Sequence, residues 1–398
     1  MISASESAAS PLAVKVTLLM VVSLPMMAFA PLSPSLPLIH AEFAGTPHID
    51  TLSRLVLTLP AVFIAVFAPL AGVIADRFGR KRLLAASVAL YGVAGLSGFF
   101  IDNLTLLLAS RACVGVALAG VLTVSTALSG DYYSGRQRQA FLGLRGAVVN
   151  FAAVGFNLIG GVIASINWRL GFLVFAFAFI LLPLVAAILH DKYSGAGPRR
   201  EAFRRVAVAE RTPVFFLTLS FLLTAAYAMA FFMVPVQMAF YLRELGSSES
   251  STAGRTMAVS ARAVAVTSLA YSRARARFGA ESVMAVAFAL AALGYYFVGS
   301  ADSVPQVFAA VVVSGCGYGL LMANMVVWIL DGTPAAIRGR VSGGIATATF
   351  VGQFLSPLVT QPIVNAFSVG AAYVAVSAGL GVIALGFIVF VLVRRAAA

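Results

Sequence analysis

Long apolar segments, separated by short polar connections, make up nearly the whole chain. Twelve windows of about 20 mostly apolar residues can be placed along it, and that is the length of helix that spans the hydrocarbon core of a bilayer. Backbone polar groups find no water inside a bilayer, so each window is expected to be a helix. The sequence therefore predicts an all-α membrane protein with twelve transmembrane helices. The windows centre near Met26, Ala65, Leu90, Leu118, Ala152, Phe179, Thr224, Ala265, Ala289, Gly317, Val351 and Leu380.

Composition supports the membrane assignment. Of the 398 residues, 61% are hydrophobic and 10% are charged, whereas soluble domains have roughly 45–50% apolar and about 25% charged residues. The net charge of +13 is also found in nucleic-acid-binding proteins. Here the charges are scattered over separate loops, so no nucleic acid partner is expected.

Lysine and arginine follow an alternating pattern along the connections. Loops rich in these residues stay in the cytoplasm, and an even number of helices places both termini on that side. The basic connections carry Arg77, Arg80, Lys81, Arg82, Arg136, Arg138, Arg199, Arg200, Arg204, Arg205, Arg273, Arg275, Arg277, Arg338 and Arg340. The opposite connections carry Glu42, Asp50, Asp102, Glu244, Glu249 and Asp302.

One long polar segment, His190 to Pro213, divides the chain into two sets of six helices. We expect an N-terminal bundle at 1–190, a cytoplasmic connection at 191–212 and a C-terminal bundle at 213–398. The halves repeat at an offset of 200 residues, and parallel repeats of this kind form a site at their interface near the bilayer midplane. The matched positions are Arg77–Gly79 and Arg277–Gly279, Gly115 and Gly315, Asp131 and Asp331, and Arg138 and Arg338.

The stretch "GVIADRFGRKRLL", Gly72 to Leu84, ends the second apolar segment. Asp76 and Arg77 are expected at headgroup level, and Gly79 permits a tight reversal because glycine tolerates a positive φ. From the residues alone, an ordinary charged loop that fixes topology explains this stretch as well as a functional motif does.

This stretch resembles the signature between helices 2 and 3 of the major facilitator superfamily. "RARFG" (Arg275–Gly279), "RACVGVALAG" (Arg111–Gly120) and "RGRVSGG" (Arg338–Gly344) are similar to further motifs of that family, found in its twelve-helix drug and metabolite antiporters. The resemblance implies two pseudo-symmetric six-helix bundles. It also implies that Asp76 and Arg80 form a gating latch, with Asp131 and Arg138 as partners. The gating set is Gly72, Asp76, Arg77, Gly79, Arg80, Lys81, Asp131 and Arg138.

Charged residues at bilayer depth are costly and are therefore functional candidates. Arg111 and Arg262 lie deep in their segments; each is either functional or a structural arginine bonded to carbonyl groups. By resemblance to the family's exporters, Arg111 is associated with proton coupling. Arg54 and Arg145 lie nearer helix ends, where snorkelling to the interface is expected. His40 and Asp131 are candidates for the proton carrier, since an imidazole titrates near neutral pH.

No Asp or Glu falls in the central part of a predicted helix, so we expect an anionic, zwitterionic or neutral ligand rather than a cation. By resemblance, helices 1, 4, 7 and 10 line the central path. Each path candidate has packing as its alternative role. The candidates are Asn157, Tyr227, Gln237, Tyr241, Asn324, Trp328 and Gln353, with Ser33 beside them.

Helix 5 contains "FNLIGG", Phe156 to Gly161, where the family's exporters carry a Gly-Pro pair and two glycines. Gly160 and Gly161 are expected to let helices approach closely. Asn157 stands where the proline is expected, which leaves the direction of transport open.

The function expected from these features is proton-coupled export of a small organic molecule by alternating access. An importer or facilitator of a small anionic metabolite is the alternative, and a sensor or scaffold that does not transport is a third. We expect no enzyme activity, no cofactor and no metal, because no nucleophile with a base, metal cluster or phosphate loop is found. A monomer in the bacterial inner membrane is expected, with Cys113 and Cys316 as core residues.

Overall fold

The structure is a computed structural model that describes residues 11–190, 214–334 and 337–396; within these ranges the regular elements are helices, and no strand occurs. The expected connection at 191–212 lies outside the described residues. The first apolar segment continues past its helix through a 3₁₀ turn, Ser33–Ser35, and a short helix, Leu36–Glu42. The long helices are α1 (Pro11–Phe29), α2 (Ile49–Phe78), α3 (Arg80–Ser97), α4 (Leu104–Tyr132), α5 (Gly135–Ile166), α6 (Phe177–Ile188), α7 (Val214–Glu244), α8 (Ser250–Phe278), α9 (Ala280–Gly299), α10 (Val304–Asp331), α11 (Arg338–Ala366) and α12 (Val369–Ala396).

The predicted all-α architecture with twelve membrane helices is confirmed for the described residues. Nine of these segments are long and apolar enough to cross a bilayer by length and composition alone. The first of them runs on through the short helix to Glu42, and the one that contains α6 begins with a 3₁₀ helix, Trp168–Ala176. The other three are α3, α8 and α11, and each of them begins or ends in arginines that lower its hydropathy. They complete the two six-helix sets because they pack against the apolar helices of their own half.

Each half has its own hydrophobic core. One cluster of buried side chains is built mainly from α1–α6 and the other from α7–α12. The packing repeats as well: α2 packs on α4 in the first half, and α8 packs on α10 in the second. At the equivalent glycines, a Cβ on Gly115 would lie 2.5 Å from the Pro60 carbonyl oxygen, and one on Gly315 would lie 2.8 Å from the Ala263 Cβ. The sequence repeat therefore corresponds to a repeated close approach of two helices.

The chain reverses direction at Gly79 and again at Gly279, the last residues of the two "RFG" triplets. Their φ angles are 94° and 80°, in a region that side-chain-bearing residues rarely adopt. Each glycine ends one helix and precedes the next without a longer loop. Glycine is therefore required here by backbone geometry.

The halves contact each other along two helix pairs, α5 with α8 and α2 with α11. At the 200-residue offset α2 corresponds to α8 and α5 to α11, so the α5–α8 contact and the α2–α11 contact are equivalent under the repeat. We call the side that carries Glu42, Asp50, Asp102 and Glu249 the acidic face, and the opposite side, which carries the glycine reversals, the basic face. Every long helix runs from one face toward the other.

A single methyl group tests the packing inside the C-terminal half. A Cβ added to Gly294 of α9 would lie 2.6 Å from the Ser314 Cα of α10, whereas one added to Gly379 of α12 would meet nothing within 4 Å. We expect Gly294→Ala to destabilise the fold by about 1–3 kcal/mol, because a backbone atom must shift. Thermal unfolding in detergent measures this as a lower melting temperature. Gly379→Ala is the matched control, and equal melting temperatures for the two variants would contradict the packing described here.

Candidate functional site

The halves touch most closely near the acidic face, in a region that we call the seam. Its residues come from both halves and are Pro31, Ser33, Arg54, Gly160, Gly161, Gln237, Gly254, Thr360 and Gln361. The seam combines direct backbone contact between helices with a small network of polar side chains. We treat the seam and the space that opens from it toward the basic face as the candidate functional site.

Arg54 of α2 is the charged member of the seam and is only 3% exposed. Its Nε donates to Oε1 of Gln237 in the other half at 2.8 Å, and its Nη1 donates to the Asp50 carbonyl at 2.5 Å. The guanidinium carbon also lies 3.8 Å from the centre of the Phe240 ring. The side chain is therefore held between the halves by neutral groups.

This position corrects the expectation that Arg54 snorkels to the interface. The residue is near a helix end, as the sequence indicated, but the second half covers that end. A snorkelling side chain keeps its charged group in water, whereas this one is almost fully buried. Sequence position alone could not show which residues of the other half would lie above it.

Gln237 extends the Arg54 contact into a network. Its Nε2 donates to Oγ1 of Thr360 at 3.1 Å and to Oε1 of Gln361 at 3.3 Å, both on α11. Gln237 itself is fully buried. One amide thus connects α2, α7 and α11, and it satisfies polar groups that would otherwise be unpaired in a dry environment.

Glycines bring the backbones together beside this network. A Cβ on Gly254 of α8 would lie 2.8 Å from the Gly161 Cα and 2.5 Å from the Asn157 carbonyl oxygen, so neither helix has room for a side chain there. Gly160 meets the backbone of Pro31 in the same way. Ser33 crosses the seam too, since its hydroxyl donates to the Pro235 carbonyl and lies 3.1 Å from the Met257 sulfur.

The two faces differ in how tightly the halves are packed. The buried residues of α8 all lie between Ser250 and Val264, and none follows up to Phe278 at the basic face. In α5, Phe141 is the buried residue of the basic-face end, whereas several residues from Asn157 onward are buried. The halves are therefore closed together at the acidic face and separated at the basic face.

The latch predicted from the motif is only partly assembled in this state. The carboxylate of Asp76 is 77% exposed and lies 4.0 Å from the Arg80 guanidinium. Arg80 instead forms an ion pair with Asp131, which is 12% exposed.

The remaining residues of the gating set lie around this pair. Arg138 is exposed, and Arg77 lies beside Phe78. Lys81 is the second residue of α3, and a Cβ on Gly72 would lie 3.8 Å from the Thr123 Cγ2.

The second half has a matching pair at the same face. Asp331, the repeat partner of Asp131, forms an ion pair with Arg275. The arginines are not equivalent in sequence, since Arg80 begins α3 and Arg275 is near the end of α8. Each carboxylate pairs within its own half, so no bridge of this kind closes the basic face among the described residues.

Arg111 lies inside the N-terminal half, away from the seam. Its guanidinium donates to the carbonyl groups of Ala94 and Gly95 at 3.2 and 3.1 Å, and it lies over the rings of Phe172 and Phe175. The residue is 1% exposed. This placement matches the structural alternative for Arg111, and its association with proton coupling stays a prediction.

Tyr241, Asn324 and Trp328 belong to the interior of the C-terminal half. The Tyr241 hydroxyl donates to the Val298 carbonyl at 2.6 Å, and the Asn324 amide donates to the Ala280 carbonyl at 2.8 Å. Trp328 packs edge-on against aromatic rings of its own half. These contacts match the packing alternative for the three side chains, and their role in a substrate path stays a prediction.

The other candidates are distributed as follows. Asn157 is buried at the seam, but its amide donates to the Ala153 carbonyl of its own helix at 2.7 Å. Arg145 donates to Thr126 at 3.3 Å. Arg262 is exposed, two turns from Arg255 along the same side of α8.

His40 and two further candidates lie close to the seam. His40 Nε2 lies 3.0 Å from the Asp50 carboxylate, and its ring meets the edge of Phe240, the same ring that supports Arg54. Tyr227 is buried and hydrogen-bonded to Thr349 of α11, and Gln353 lies one turn further along α11. Within the described residues, no group of His, Cys, Asp and Glu side chains could hold a metal ion.

Comparison with known proteins identifies the family. The model of the Major Facilitator Superfamily matches residues 18–261 and 221–398, which is nearly the whole chain. The chain belongs to the major facilitator superfamily. Members of this family are transporters that bind small molecules within the membrane, so the chain is an integral membrane transporter and not an enzyme.

Individual relatives match shorter parts of the chain. It is 32% identical to "Efflux pump dotC" of Dothistroma septosporum over 34% of its own length and 23% of that protein. It is 24% identical to "Tetracycline resistance protein, class H" of Pasteurella multocida over 50% of its own length and 47% of that protein. The matches thus span less than half of these relatives. A crystal structure of a D-xylose-proton symporter shares the fold with a TM-score of 0.75 at 14% identity, covering 94% of this chain and 97% of that one.

The seam predicts a conformational effect for Gln237→Leu. The substitution removes the acceptor that holds Arg54 across the halves. We therefore expect the ratio of protein closed at the acidic face to protein open there to fall about ten-fold. Spin labels at Gly45 and Ser248, in a chain with Cys113 and Cys316 replaced, measure this as a shift to longer distances. Arg255→Gln is the control, since Arg255 is 58% exposed and pairs on the surface with Glu249. Unchanged distances in Gln237→Leu would contradict the closing role.

The latch predicts a different effect for Asp76→Asn. Because the carboxylate is largely in solvent, the substitution should leave the melting temperature unchanged while slowing transport several-fold, since only the latched state loses a contact. Turnover and melting temperature are measured on the same preparation. Asp131→Asn is the comparison variant, and it should lower the melting temperature because Arg80, whose side chain is only 18% exposed, keeps its charge but loses its ion-pair partner. Wild-type turnover for Asp76→Asn would exclude a gating role.

Proposed function

We propose that this transporter exports a small organic molecule by alternating access and that export is coupled to proton entry. The observation that carries the proposal is the one-sided closure. The halves are joined at the acidic face by Arg54, Gln237 and the Gly161–Gly254 approach, and they are separated at the basic face. An alternating-access carrier needs such a state and its mirror image.

Orientation and direction complete the proposal. If the arginine-rich basic face is cytoplasmic, the described state is open to the cytoplasm, where an exporter loads its substrate. Relatives named as an efflux pump and as a tetracycline resistance protein support the export direction. Asp76 is then released from its latch because this state is open at the basic face.

The proposed substrate is an anionic, zwitterionic or neutral molecule. The central parts of the helices carry no carboxylate, so a cation would find no opposite charge there. Arg54 is the charge closest to the seam, and its hydrogen-bond partners are neutral. For the proton, His40 and Asp131 remain the proposed carriers, and His40 is the one that contacts the seam through Phe240.

Import or facilitated diffusion of a small anionic metabolite is the second candidate. Its support is Asn157, which bonds the Ala153 carbonyl of its own helix where the family's exporters carry proline. We further propose a monomer in the bacterial inner membrane, with bundles at 1–190 and 213–398, a connection at 191–212, and both termini in the cytoplasm.

Proteoliposomes with an imposed pH gradient test the proposal. A pH-sensitive dye inside reports proton movement while anionic, zwitterionic, neutral and cationic compounds are added in turn, with Asp76→Asn vesicles as the matched control. We expect compounds of the first three classes to trigger proton movement that is slower in the control. A response to cations alone would contradict the proposed substrate class, and silence across the panel would contradict proton coupling.

A further inference from the structure

Helix α11 carries a row of polar side chains on one face. The row, which we call the α11 stripe, consists of Thr349, Gln353, Ser356 and Thr360. Successive members are separated by four, three and four residues, the spacing that stacks side chains along one side of a helix. Polar residues in this arrangement are unusual in a membrane helix unless they face protein or water.

Both ends of the α11 stripe are fixed by contacts with α7. At one end, Thr349 is hydrogen-bonded to the buried hydroxyl of Tyr227. At the other end, Thr360 accepts a hydrogen bond from Gln237, which also holds Arg54 of the other half. The stripe therefore lies beside α7 and leads from the interior to the seam between the halves.

The middle of the α11 stripe has hydrogen-bonding capacity that the protein does not use. Oε1 of Gln353 and Oγ of Ser356 are both buried and have no hydrogen-bond partner. Ser356 is fully buried as a residue. Pro357 follows and has no N–H, so it cannot donate to the carbonyl of Gln353 as a helix residue normally would. Several polar atoms at one level of the helix thus lack partners, and buried unpaired polar atoms are costly.

The repeat shows that this polarity belongs to one half only. At the 200-residue offset, the α11 stripe corresponds to Val149, Ala153, Phe156 and Gly160 of α5. Every hydrogen-bonding side chain of the stripe is thus replaced by an apolar residue or glycine. Because α5 and α11 are equivalent helices of the two halves, the polar row is a feature of the C-terminal half that the repeat does not require.

We propose that Gln353 and Ser356 form a hydrogen-bonding subsite that orients an amphipathic substrate in this transporter. The ligand class is an uncharged molecule with an apolar ring body and a hydroxyl or amide head that donates a hydrogen bond. The head meets Oε1 of Gln353 and the hydroxyl of Ser356, and the ring body lies against apolar side chains. This inference rests on the proposed transport function and specifies the substrate that the site selects.

Binding to the purified full-length protein tests the subsite without relying on transport. The probes are two pairs with the same ring: 2-naphthol with 2-methoxynaphthalene, and 2-naphthamide with its N,N-dimethyl derivative. Within each pair, methylation removes the donor and keeps the apolar body. Concentration-dependent thermal stabilisation gives each dissociation constant. We expect the donor-bearing member to bind about ten-fold more tightly, as one buried hydrogen bond allows.

Variants assign the preference to named atoms. Gln353→Met removes the acceptor at nearly constant volume and should abolish the preference for donor-bearing probes, and Ser356→Ala should reduce it. Ser342→Ala is the matched control, because Ser342 is an exposed residue of the same helix and its hydroxyl bonds the Arg338 carbonyl. The melting temperature of each variant without probe shows that it folds, and Ser356→Ala provides a second reading if Gln353→Met does not.

Failure of the subsite and failure of the proposed function give different results. Equal binding within each pair, no binding of either donor-bearing probe, or an unchanged preference in Gln353→Met would overturn the subsite, even if the proteoliposomes transport other compounds. Absence of transport would overturn the function while the binding preference is still measured.

Discussion

The contact between Gly161 and Gly254 is the constraint on which the closed face depends. Helices in a bilayer gain little from hydrophobic burial against each other, so close packing at small residues has to hold them together. Here two backbones touch across the halves, and a Cβ on either glycine would separate them. Arg54 reaches Gln237 only because the helices on both sides have approached this closely.

The chemistry of the seam suits a contact that must open again. Across the seam Arg54 is bound by an amide and an aromatic face, both of which water can replace when the halves separate. A buried ion pair between the halves would instead leave two unpaired charges on opening. The strong ion pairs, Arg80 with Asp131 and Arg275 with Asp331, lie within single halves and remain intact if the halves move as rigid bodies. Ion pairs therefore stabilise each half, whereas hydrogen bonds to neutral groups join one half to the other.

Much of this arrangement could be predicted from the sequence because a repeat constrains both halves alike. The twelve apolar windows gave the helices, and the "RFG" triplets gave the reversals at Gly79 and Gly279. The docking of the halves could not be predicted, because it depends on contacts between residues about 180 positions apart, such as Arg54 and Gln237. Periodicity indicates that Arg111 lies on a buried face of α4, but it does not say that this face meets α3 rather than the other half.

Covalent closure of the acidic face tests whether the seam must open during transport. The Arg243 guanidinium donates to the Pro37 carbonyl of the other half at 3.2 Å, beside a surface pocket, so cysteines at these two positions can be bridged by a short bifunctional thiol reagent. In a chain with Cys113 and Cys316 replaced, we expect bridging to stop transport and reduction to restore it. Each single-cysteine chain, treated with the same reagent, should transport normally. Continued transport by the bridged protein would contradict alternating access through this seam.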